Sequence, residues 1–141
     1  WGGTDITDPL ALFRQQGLQA LDHLTSSRQI QNIFEILYLR CEYTDELAPV
    51  AKQQVQDRIE CLAKCKAVLD QAVAKGQLPA DTDTHLAAHG AFAFVSGLMR
   101  DWVETPDTFD LKAAAPQLID TYIAGLRANP PRRIATTEQL Q

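Results

Sequence analysis

The chain has 141 residues, 45% of them hydrophobic and 22% charged, with a net charge of −5. That length fits about one domain able to bury a core unaided, and no apolar run reaches the roughly 18 residues of a membrane span. The acidic balance argues against nucleic-acid binding by this chain itself, because neutralised phosphates supply much of that affinity, and the pair Arg132-Arg133 is too short to reverse it.

The N-terminal stretch WGGTDITDPL has neither the basic nor the apolar region of a signal peptide. Cys41, Cys61 and Cys65 are odd in number and lack the spacing of a disulfide framework. The cysteine usage predicts a reducing, cytoplasmic setting.

Residues 1–7 read as a lead-in loop, 8–128 as one helical domain and 129–141 as a polar, fraying tail. Asp8-Pro9 has the form of a helix start, with Asp8 as N-cap and Pro9 at the first helical position. Leu10, Phe13, Leu18, Leu21 and Leu24 carry helical spacing to about Thr25. Ser26 or Ser27 caps a second helix with Ile30, Ile33, Phe34, Leu37, Tyr38 and Cys41 as its stripe. Thr44 to Glu46 opens a third, regular from near Ala48 because of Pro49. Val55, Ile59, Leu62, Leu69 and Val73 continue it to the stop signal Lys75-Gly76. Asp81 or Asp83 caps a fourth helix, which ends before Pro106. Asp110 caps a fifth, with Pro116 an alternative start for its regular part, and Asn129-Pro130-Pro131 ends it. No segment shows strand alternation. The periodicity predicts an all-α bundle of about five helices.

The fourth helix is unusual. At about 100° per residue, Ala88, Phe92, Ser96, Met99 and Val103 share one side. Leu86, Gly90, Ala93, Phe94 and Gly97 fall near the opposite side. A helix apolar on two sides is buried on two sides. One face then packs on the chain's own core, and the small-residue face on a second subunit.

Three stretches resemble the C-terminal regulatory domain of TetR-family transcriptional repressors, above all the branch that controls multidrug efflux pumps. They are Phe34 to Asp45 (FEILYLRCEYTD), Ala74 to Pro79 (AKGQLP), and Ala91 to Trp102 (AFAFVSGLMRDW). Their order and spacing extend the resemblance from Asp8 to about Arg127. It implies a hydrophobic ligand held inside each protomer and a homodimer joined by a four-helix interface. It also implies operator DNA bound by an N-terminal helix-turn-helix domain, which no stretch of this chain resembles. Carried over by position, the ligand-binding residues are Phe13, Gln16, Gly17 and Ala20, then Phe34, Leu37 and Tyr38, then Cys61 and Cys65, then Phe92, Val95, Ser96, Met99 and Arg100. Gln16 and Gly17 replace larger apolar residues of close relatives, and Ser96 replaces an acid some of them carry. The dimer interface takes Leu86, Gly90, Ala93, Phe94, Gly97, Leu118 and Tyr122.

Other chemistry finds little support. Cys61 and Cys65 share a helix face, but no neighbouring His or Cys completes a zinc set. His85 and His89 form HxxxH, but Leu86 stands where a zincin needs Glu. Ser96-Gly97 lies within a helix, not on a nucleophile elbow. The expected protein is therefore a ligand sensor without catalysis, metal or cofactor. Its partners are a second subunit, a hydrophobic or aromatic small-molecule effector and, through the separate domain, operator DNA, with no membrane association. The alternative is a naturally truncated regulator that acts only by dimerising.

Overall fold

Asp8 starts the first helix in the way its sequence requires: its carboxylate accepts a hydrogen bond from the Ala11 amide at 3.2 Å. The computed structural model describes residues 7–38 and 48–134. Among them are α1 (Pro9–Ser26), α2 (Arg28–Tyr38), α3 (Ala48–Ala74), α4 (Thr84–Glu104) and α5 (Leu111–Ala128). The other caps are equally local. The Ser27 hydroxyl accepts from the Ile30 amide at 3.2 Å. Asp83 accepts from Leu86 at 3.0 Å and Asp110 from Ala113 at 3.1 Å. Gly76 closes α3 with a φ of 78°, where a side chain would be strained.

Asp81, the other candidate cap of α4, does different work. It pairs with Arg132, and its backbone carbonyl accepts from the Arg133 amide at 3.2 Å. The Asp83 amide donates to the Pro131 carbonyl at 2.8 Å, and Thr82 pairs with Arg132 as an isolated bridge. The segment after α5, expected to fray, is thus docked as far as these residues, with Pro130 buried. Pro116 lies inside α5 and does not mark its start, because the Asp110 cap fixes that end first. Gln77 ties the α3–α4 turn to the start of α1, accepting from the Leu10 amide at 3.0 Å and donating to Asp8 at 2.8 Å. That bond holds the exposed Asp8 carboxyl below its ordinary pKa, aided by the Ala11 amide.

The helices pack around two apolar clusters. Leu10, Leu69, Ala72, Leu78, Ala87, Ala88 and Leu126 form one, where α1, α3, α4 and α5 meet near their linked ends. Leu21, Leu24, Leu111, Ala115, Ile119 and Ile123 form the other, with Ile30 and Phe34 of α2 and Leu98 and Met99 of α4 against it. Phe13 touches both. α1 lies against α5 and α3, and α4 against α3 and α2. Outside the isolated bridge, no strand occurs among the described residues.

Candidate ligand-binding site

Between the two clusters lies a cavity of about 380 Å³. α1 lines it with Phe13, Gln16, Gly17 and Ala20, whose spacing of three or four residues puts them on one helix face. α3 contributes Cys61, Leu62, Cys65 and Val68, with the exposed Asp57, Glu60 and Lys64 at its solvent side. α4 supplies Ala91, Phe92, Phe94 and Val95, and α5 supplies Ile119 and Tyr122. This size and mostly apolar lining suit a small organic molecule.

Gly17 leaves room for this packing: a Cβ there would sit 3.1 Å from the Ile119 Cδ1. Arg58 lies over the Phe92 ring, its guanidinium carbon 5.2 Å from the centroid. This cation–π contact contributes about 0.5–1 kcal/mol where exposed. Asp57 accepts from Gln53 at 2.8 Å and Glu60 from Gln56 at 3.4 Å. Burial pushes the Cys65 thiol up to about 12, with Cys61 adding to it, and burial raises Cys61 as well. Both are therefore neutral thiols near neutral pH and act as a soft apolar wall.

Tyr122 is the best-anchored group of the wall. Its hydroxyl donates to the Ala87 carbonyl across α4 and α5 at 2.8 Å. Its ring stacks on Phe94 at 5.4 Å and Phe13 at 6.3 Å between centroids. Burial pushes its pKa up to about 12, so the hydroxyl keeps its proton. The arrangement needs Gly90, where a Cβ would sit 2.8 Å from the Tyr122 oxygen. Gly90→Ala is therefore expected to destabilise the protein by about 1–2 kcal/mol. Helix propensity favours Ala by about 1 kcal/mol, but the lost hydrogen bond and forced repacking cost more together. In a Tyr122→Phe background the same change becomes neutral or stabilising. Urea denaturation of the four proteins measures this coupling, and additive effects would contradict the contact.

Residues 8–128 match the family described as MAATS-type transcriptional repressor, C-terminal region. The chain belongs to the TetR family of transcriptional repressors. It is 35% identical over 129 residues to the HTH-type transcriptional regulator TtgR of Pseudomonas putida, covering 92% of this chain and 61% of that protein. It is 32% identical over 124 residues to the HTH-type transcriptional repressor BepR of Brucella suis, covering 88% of this chain and 59% of that one. The chain thus spans about three fifths of the curated relatives it matches. Its fold is shared by the crystal structure of NalD, the secondary repressor of the MexAB-OprM multidrug efflux pump in Pseudomonas aeruginosa. The TM-score is 0.77 at 24% identity, over 86% of this chain and 62% of that one.

In this TetR-family domain, Phe13, Gln16, Gly17, Ala20, Cys61, Cys65, Phe92 and Val95 come together in the cavity wall. Four other expected ligand residues do not join that wall. Phe34 and Met99 pack on the second cluster, Ser96 lies a turn beyond Phe92, and Arg100 turns to solvent. The described wall uses α4 only from Ala91 to Val95, so residues a turn further along fall past its end. The side chains of Leu37 and Tyr38, and all of Cys41, lie outside the described residues.

The residues expected to pair subunits divide. Leu86, Ala93 and Gly97 are exposed along α4, and Leu118 packs partly on the second cluster. Gly90, Phe94 and Tyr122 meet each other inside the protomer. Among the described residues no group of three or more metal-binding side chains occurs, and no helix is long and apolar enough to cross a membrane.

Proposed function

We propose that this TetR-family regulatory domain senses a hydrophobic or aromatic small molecule and transmits its binding to operator DNA through a separate helix-turn-helix domain. The cavity between α1, α3, α4 and α5 carries this reading. Its walls supply apolar contact, and Gln16 with the charged groups at its α3 side orients the polar end of the ligand. The ligand acts by favouring one arrangement of the helices over another, which requires different affinity for the two. NalD represses a multidrug efflux pump, and the proposed target here is likewise an efflux operon. The protein works as a cytoplasmic homodimer, and the exposed Leu86, Ala93 and Gly97 face of α4 contributes to the pairing surface.

Phe92→Ala tests the sensor. It removes an aromatic wall and is expected to weaken an aromatic effector about tenfold, within the range of one lost aromatic contact. The dimer stays intact. Unchanged affinity for an effector bound by the parent protein would remove Phe92 from the site. Gly97→Leu tests the pairing face. Nothing lies within 4 Å of a Cβ placed at Gly97 in the single chain, so the protomer accommodates the larger side chain. Sedimentation is expected to show folded monomer, and a persisting dimer would exclude this face.

A further inference from the structure

His85 and His89 are not used by the cavity. Four residues apart, they stand one helical turn above each other on the same side of α4. Asp83 caps the helix two residues before His85, so both rings rise from regular helix. Their centroids are 4.7 Å apart, edge to face, with planes at 75°. Both residues are exposed. Among the described residues neither ring is held by a hydrogen bond or ion pair.

We propose that His85 and His89 form a two-imidazole chelate for a divalent transition-metal ion. Imidazole suits borderline ions, and one helix already holds the two rings side by side, so little ordering beyond ring rotation remains to be done on binding. The nearby carboxylates are committed elsewhere, Asp81 to Arg132 and Asp83 to the Leu86 amide. With no third donor among the described residues, water completes the shell. A site with two protein ligands and several waters ranks Cu²⁺ and Ni²⁺ above Zn²⁺, which in protein sites takes three or four protein ligands. Because the chelate exists only while the start of α4 is helical, the ion stabilises the folded form. The neighbouring Leu86 places it beside the face assigned above to pairing.

Untagged protein titrated with Ni²⁺ by calorimetry, with thermal melting in parallel, tests the site. One saturable sub-millimolar site per chain is expected, with a raised melting temperature. Both effects disappear in His85→Ala and in His89→Ala, and both persist in His23→Ala, which removes the remaining histidine. The exposed positions make these substitutions compatible with the fold, which circular dichroism verifies. Ni²⁺ binding that survives loss of either His85 or His89, or no saturable binding in this range, would overturn the proposal.

Discussion

Ala20→Trp is expected to abolish binding of an aromatic effector, by about 100-fold or more, while leaving the helices in place. Ala20 lies in the α1 wall of a cavity of about 380 Å³. An indole built there occupies the space a ligand needs. The substitution adds apolar contact inside the cavity, so stability is expected to hold or rise slightly. Two measurements separate loss of the site from loss of the fold. Thermal melting should show a cooperative transition near the parent's, and calorimetry should show no heat of binding. Retained affinity in a folded Ala20→Trp protein would place the ligand elsewhere.

Leu21→Ala is expected to have the opposite profile, costing about 2–5 kcal/mol of stability. Leu21 is 0% exposed and packs with Leu24, Leu111, Ala115, Ile119 and Ile123. Truncation loses the transfer energy of its buried methyl groups and leaves a void that close-packed neighbours fill only in part. Domains of this size are stable by about 5–15 kcal/mol, so the loss is a large fraction of the total. Ile59→Ala supplies the comparison, since Ile59 is 54% exposed and surface changes stay within about 0.5 kcal/mol. Urea denaturation should show a lower midpoint for Leu21→Ala at an unchanged slope. Equal midpoints for the two variants would mean that α1 does not pack as described.

Most helix ends were readable in the sequence because each is decided within four residues. Asp8-Pro9, Asp83, Asp110 and Gly76 mark their ends by side-chain caps or a left-handed glycine. The bond from Gln77 to the Leu10 amide was not readable, since it joins residues 67 apart. The same distinction governs α4. Its composition showed burial on more than one side, but periodicity cannot say what covers each side. Gly90 read as room for a second subunit, and its contact with the Tyr122 hydroxyl of the same chain was not foreseen. Within the cavity, the α1, α3 and part of the α4 walls followed from the family resemblance. Ile119 and Tyr122 were missed because the only α5 residues carried over, Leu118 and Tyr122, were assigned to pairing. One signal was available: an aromatic with a polar tip on an apolar stripe needs a partner when buried. Applied to Tyr122, it points inward.

The most direct test of the sensor is calorimetric titration of the purified protein with a panel of aromatic antimicrobials and plant phenolics at two temperatures. The predicted result is saturable binding by at least one compound, at one site per protomer or per dimer, with a negative heat-capacity change from burying apolar surface. A folded protein that binds no compound of the panel would contradict the ligand-sensing account and leave the proposed pairing as the function of this domain.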